Sequence, residues 1–471
     1  MDFSVEVKQH AQFQIEMKLI CPFDEKKKVN DSHIDVFFFL PRNLAVNEKT
    51  YQTSDFYKDF SEYVRFKTPS LRLMDLTAAD NAVLQRLSDS IQHLPESEDD
   101  FCRHLKMYCS IVKSSLRDTE QALEALSPAQ QPEALSSYID NIRKVLETYR
   151  ALRPEKWASP KAEELYWLVD EFLSVTSNGY LFRFWNAVPD QAITKAVAGA
   201  TEKEILYREK QGYPSAESED AELLYRESTL KKAMAGILFL RTSMRKDGVF
   251  LENLLLGLCA AVAMIFVTGI SFLWKGLFLE EFSASFFIVW VIAYMFKDRI
   301  KSQLQLFRMN SRSQYSYDYR QQIFDAFDRE IGVCREGFRY CRTKDVGEKV
   351  IQVRNRTSLS RLENGSLDEN VILYRKKIEL FGAAAYGIIK EFKVHGVVNI
   401  YRLNLLHWTY KMDNPTRTIY SSNGKEILPI EARRDYHINM VLRYGEENGE
   451  EHYARYRVVL CRNGIRRIDR F

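Results

Sequence analysis

The chain has 471 residues, 46% hydrophobic and 28% charged, a balance that suits folded polypeptide and excludes a disordered tail as the main content. Its formal net charge of +3 argues against a protein that binds nucleic acid by bulk electrostatics. Seven cysteines, an odd number without a Cys-x-x-Cys pair, suit a reducing compartment and free thiols.

The first residues lack both a basic head and an apolar core, so no cleavable signal is expected. Phe3, Val5 and Val7, then Phe13, Ile15, Met17 and Leu19, alternate with polar residues, a period of two that predicts half-buried strands. Ile34 to Leu40 reads as a strand buried on both faces and stopped by Pro41. Residues 1–50 are thus expected to be an N-terminal β-hairpin region. From Ser54 the period turns helical. Phe101, Leu105, Tyr108, Val112 and Leu116 form one stripe; Leu135, Ile139, Ile142, Leu146 and Tyr149 form another, beyond the break at Ser127 to Pro132. Further helices are predicted over 79–92, 161–185, 191–210 and from Ala221 through Leu240, making 51–250 a mainly helical domain.

The segment 251–299 dominates the reading. Leu254 to Trp274 is uncharged, and at 1.5 Å per residue it would extend about 31 Å, enough for a bilayer core. Phe282 to Phe296 is a second apolar run of about 22 Å, short by the same measure. The pair predicts a transmembrane helical hairpin, with Gly257, Ala261, Ala284, Ser285 and Ala293 as its small packing residues. Arg241, Arg245 and Lys246 precede it, and Lys297, Arg299 and Lys301 follow it. This juxtamembrane basic bias would place both termini in the cytoplasm.

A membrane-emergent helical linker is expected over 300–346, with a Tyr- and Arg-rich helical stretch to about Cys341. In the C-terminal domain, 347–471, Glu348 to Arg356 reads as a strand and Asp368 to Lys390 as a helix. Alternation resumes beyond Val397, with Asn423-Gly424 and Asn463-Gly464 as hairpin turns. The fold class is then an α+β membrane protein: a two-helix hairpin joining a helical N-terminal arm to a C-terminal antiparallel β domain. Because both arms would share a compartment, the N-terminal strands are free to join the C-terminal sheet.

Chemistry is poorly marked. The glycine signatures of nucleotide-binding loops, Gly-x-Ser-x-Gly and His-Glu-x-x-His are all absent. His407 and His437 could converge with Asp413 or Asp435, although half-buried strand histidines explain them as well. Asp325 and Asp328 are spaced for one helical face, where a charged surface is the simpler account. Arg455, Arg457, Arg462, Arg466, Arg467 and Arg470, interleaved with Tyr453 and Tyr456, could meet RNA, but Glu446, Glu447, Glu450 and Glu451 favour cross-strand pairing. No catalytic, cofactor or metal residue is assigned. The functional expectation is a membrane-anchored, cytoplasm-facing scaffold, sensor or assembly subunit without catalytic activity. Its partners would be the lipid bilayer and either a second copy or another protein at the cytoplasmic face. The alternatives are a membrane-tethered, hydrolase-like enzyme with a site built from distant residues and, below it, nucleic-acid binding by the C-terminal sheet.

Overall fold

The computed structural model describes residues 3–24, 26–78, 81–94, 97–214, 220–247, 317–326, 328–355, 369–382, 394–422, 424, 426–447 and 449–471, with scattered positions over 254–302 and at 392. The alternating segments become strands: β1 (Ser4–Ala11), β2 (Gln14–Pro22), β3 (Val29–Pro41), β4 (Phe60–Phe66), β5 (Phe239–Lys246), β6 (Tyr319–Phe324) and β7 (Glu330–Cys341). They continue with β8 (Glu369–Phe381), β9 (Gly396–Asn404), β10 (Thr416–Ser422), β11 (Ile427–Arg433), β12 (Tyr436–Gly445), β13 (Glu451–Cys461) and β14 (Gly464–Arg470). Twelve of these form one sheet in the order β1-β2-β9-β4-β5-β6-β7-β8-β3-β12-β13-β14, and every neighbouring pair in it is antiparallel. The other two, β10 and β11, make a separate ribbon.

The ends of the large sheet nearly meet, giving it a barrel-like form. The Ile465 amide donates to the Gln12 carbonyl at 2.8 Å, and Gln12 Nε2 donates to the Asn463 carbonyl at 2.8 Å. Gly464 makes this approach possible: its φ is +121°, and a Cβ there would stand 2.5 Å from the Gln12 carbonyl oxygen.

Helices occupy the long connection from β4 to β5: α2 (Ala82–Gln92), α3 (Glu98–Glu124), α4 (Gln131–Ala151), α5 (Pro160–Ala187), α6 (Gln191–Gln211) and α7 (Asp220–Ala235), with α1 (Thr53–Asp59) just before β4. Local chemistry sets their starts. Asn81, Ser97 and Asp190 each accept a first-turn amide with the side chain, and Pro160 opens α5 where its missing N–H costs nothing. One ionic knot joins three of them. Arg150 Nε donates to Asp170 at 2.8 Å and its Nη2 to Glu204 at 3.0 Å, while the Tyr207 and Tyr213 hydroxyls donate to Asp170 Oδ2.

Two apolar cores fill the interior. One belongs to the helices and the sheet ends against them, including Val64, Phe66, Ile323, Cys334, Ile378 and Val397. The other lies deeper in the barrel, around Phe38, Phe56, Phe338, Tyr374, Leu403 and Trp408. A short helix, α8 (Glu348–Arg354), covers Phe37, Phe39, Val371 and Leu373 on the outer face.

Several expectations are corrected. The segment through Leu240 ends in strand β5, and the stretch to Cys341 holds β6 and β7 rather than a helix. Glu348–Arg354 is helical and Glu369–Phe381 is a strand, the reverse of the sequence reading. The reason is burial on both faces. Ile372 and Tyr374 face the barrel core while Val371 and Leu373 sit beneath α8, which erases the alternation that identifies a strand.

The membrane hairpin is corrected too. Crossing a bilayer takes about 20 consecutive apolar helical residues, and among the described residues no helix is long and apolar enough to cross a membrane. The basic residues read as juxtamembrane are rungs of the sheet: Arg241, Arg245 and Lys246 lie opposite Phe324, Arg320 and Tyr319. The membrane-anchored scaffold, the membrane-tethered enzyme and the integral-membrane placement with cytoplasmic termini rested on those spans and are withdrawn. Gly257 and Ala261 are exposed helical positions, and a Cβ on Gly257 would meet nothing within 4 Å. Arg299 is exposed, whereas Ala284, Ser285, Ala293, Lys297 and Lys301 lie outside the described residues.

Candidate functional site

Between the two cores the inward positions turn polar. On β4, Glu62 lies between Phe60 of the deep core and Val64 of the helical core; on β8, Lys376 lies between Tyr374 and Ile378 in the same way. Glu336 on β7 falls between Cys334 and Phe338, and Asn399 on β9 between Val397 and Tyr401. Gln321 on β6 completes the layer. The sheet register makes these residues neighbours, with Glu336 opposite Lys376 and Glu62 opposite Tyr401.

Lys376 is fully buried and ion-paired with Glu62 Oε2. Burial alone would strip its charge, yet the acidic groups around it, Cys334, Glu62, Tyr401 and Glu336, hold its pKa well above the ordinary lysine value. Glu336 behaves oppositely: burial, and then the Glu62 carboxylate, raise its carboxyl above the usual range. It accepts from Gln321 Nε2 and from the Tyr374 hydroxyl, each at 2.9 Å. Burial pushes the Cys334 thiol up to about 12 and the Cys21 thiol to about 11, so neither is a nucleophile near neutrality.

The layer is incompletely satisfied. Glu62 Oε1, Gln321 Oε1, Asn399 Oδ1 and the Tyr401 hydroxyl are all buried with no hydrogen-bond partner among the described residues. Leaving such atoms dry costs about 1–3 kcal/mol apiece, so native proteins supply a partner. The wall beside them is also split. Most neighbouring strands share six or more rungs, but β4 and β5 pair only at Val64↔Leu240 and Arg65↔Phe239. No β5 residue stands opposite Phe60 to Tyr63, and α1 lies over this break, where the Tyr57 hydroxyl donates to Asp318 Oδ2 at 3.2 Å.

The residues singled out from sequence fall elsewhere. His407 Nδ1 lies 2.5 Å from Asp59 Oδ2, which also accepts from the Tyr51 hydroxyl at 3.0 Å. Asp59 can thus fix the imidazole's orientation, whereas the sequence reading had His407 converge with Asp413 or Asp435. Asp413 instead accepts from the Tyr436 hydroxyl and pairs with Arg434, and Asp435 pairs with Arg466. Asp325 and Asp328 bracket a turn, not a helical face, and pair with Arg329 and Arg241. Arg455 and Arg457 are buried beneath the Phe471 ring, Arg466 pairs with Asp435 and Arg467 with Asp469, while Arg462 and Arg470 are exposed, so the six do not share one free face. A groove of about 190 Å³ runs between α2 and α3 past Asp89, His93, Asp100 and His104. Among the described residues no three His, Cys, Asp or Glu side chains are grouped to hold a metal.

Sequence reasoning missed the polar layer entirely. The available signal was weak: single polar residues, Glu62, Gln321, Lys376 and Asn399, inside otherwise apolar strand faces. Fold and layer together define an antiparallel, barrel-like sheet with an inserted helical lobe and a buried polar layer between their two cores. Compared with protein-family profiles, curated proteins and solved structures, the chain matches none.

Proposed function

We propose that the chain is a binding protein whose barrel takes a small polar molecule, rich in N–H or O–H donors, at the polar layer. The observation that carries this reading is the set of unpartnered acceptors, Glu62 Oε1, Gln321 Oε1 and Asn399 Oδ1, beside the Tyr401 hydroxyl. The charge of Lys376 is already matched by Glu62, and Glu336 is held towards its neutral form. What remains is acceptor capacity, which suits a neutral or cationic donor and disfavours an anion. The break between β4 and β5 supports access from the wall beside Glu62.

The test is thermal unfolding of the full chain with ammonium, methylammonium, formamide and acetate as probes, together with a crystal structure. A donor probe at a hundred times its Kd stabilises by about 2.7 kcal/mol, a midpoint rise of about 3 °C that keeps growing with the logarithm of probe concentration; acetate does nothing. Tyr401→Phe removes a hydroxyl that has no hydrogen-bond partner among the described residues. It should leave the unliganded midpoint unchanged or raised, and lower the response to the probe. An unfolding midpoint indifferent to every donor, with only ordered water in the layer, overturns the proposal.

A further inference from the structure

We infer that the β10–β11 ribbon is the contact through which two copies of this chain associate, by antiparallel pairing of β10 with β10 of the second copy about Ile419. The ribbon stands clear of the barrel. Thr416–Ser422 is exposed throughout, and in Ile427–Arg433 only Ala432 is partly covered. A two-stranded hairpin without a face to pack is marginal in water. This one carries Ile419, Tyr420, Ile427, Leu428 and Ile430 in the open, with Tyr420 74% and Ile427 73% exposed.

Its two edges differ. β11 contains Pro429, whose missing N–H interrupts the strand's hydrogen-bonding capacity. β10 contains no proline, lysine or acid, the residues that ordinarily blunt an exposed edge. Among the described residues it pairs with β11 alone. Register and charge then select both the occupant and the alignment. Ile419 lies opposite Ile430, and Ser421 opposite Leu428. A twofold axis at Ile419 sets Ile430, Ile419, Ile419 and Ile430 in one row across four strands. It also places each Arg417 opposite the other copy's Ser421. An axis at Arg417 would oppose the two arginines, and one at Ser421 would leave only three rungs within Thr416–Ser422. The pairing is isologous and uses the β10 edge of both copies, so this contact closes at two. Seven rungs extend about 24 Å, and an edge contact of that size falls at the low end of stable interfaces, making the dimer weak and concentration-dependent.

Sedimentation equilibrium of the full chain over about a hundredfold range of concentration reads this directly, because mass action displays a weak dimer as a rising average mass. Ile419→Arg should hold the chain monomeric with its unfolding midpoint little changed, since within its own copy Ile419 lies opposite Ile430 of the ribbon and belongs to none of the apolar cores. Ser421→Glu places a carboxylate opposite each Arg417 and should tighten the dimer about two- to thirtyfold for the two cross-strand pairs. Adding Arg417→Glu to it should abolish association. A chain monomeric at every concentration overturns the inference, as does a dimer that survives Ile419→Arg or weakens with Ser421→Glu.

Discussion

Replacing Lys376 with methionine tests the central layer most directly. Methionine nearly matches the lysine stem in volume, so the change removes a charge without opening a cavity. It strands Glu62, whose Oε2 loses its partner and whose Oε1 has none. Breaking a buried pair from one side costs about 3–5 kcal/mol, while replacing both members by apolar residues is often neutral or stabilising. Lys376→Met should therefore lower the midpoint by roughly 3–5 °C in a chain of this size, and Lys376→Met with Glu62→Met should restore most of that. Glu336 does not spoil the rescue, because burial already holds it towards the neutral acid. The pH dependence follows in sign. Lys376 titrates above the ordinary lysine range, so its contribution is whole below about pH 10.4 and lost only as pH rises through the folded value. Scanning calorimetry of the parent chain and both variants at neutral pH reads the deficit and its rescue. A double variant no more stable than the single one refutes the reasoning.

Other perturbations follow from the same geometry. The raised Glu336 carboxyl makes native stability fall as pH climbs from the unfolded carboxylate value through the folded one. Glu336→Gln keeps an oxygen for Gln321 or Tyr374 and should flatten that slope in denaturant titrations at successive pH values. Gly464→Ala should cost about 1–3 kcal/mol, more than Gly424→Ala, because an added Cβ meets the Gln12 carbonyl at the barrel seam whereas Gly424 has open space. Paired thermal melts decide the order. Arg150→Met leaves Asp170, which is 0% exposed, to two tyrosine hydroxyls alone. It should destabilise by about 3–5 kcal/mol, and hydrogen exchange should localise the loss to α4, α5 and α6. Arg143, whose partners Asp140 and Glu147 are exposed, should cost less than about 1 kcal/mol on the same change.

Local pattern located the elements whose burial is one-sided. The strands β1 and β2, the stripes of α3 and α4, and the hairpins closing at Gly424 and Gly464 all follow from residues within a few positions of one another. Two-sided burial was legible in β3, where Pro41 stops the apolar run, but not in β7 and β8. β7 and β8 are covered by barrel core within and by other elements without, so their period of two is hidden. The apolar runs after Leu254 invited lipid as the only solvent long enough for them. Their basic flank, however, proved to be strand β5, hydrogen-bonded to β6.

The sequence by itself determined the hairpins, the caps and the amphipathic stripes, because each depends on backbone and side-chain chemistry a turn or two apart. Only the tertiary structure decided that β9 lies between β2 and β4, and β3 between β8 and β12. That order brings Glu62, Gln321, Glu336, Lys376 and Asn399 from five strands into one buried layer. Strand order is settled by which faces can be buried together, a property of the whole chain that no window of sequence contains.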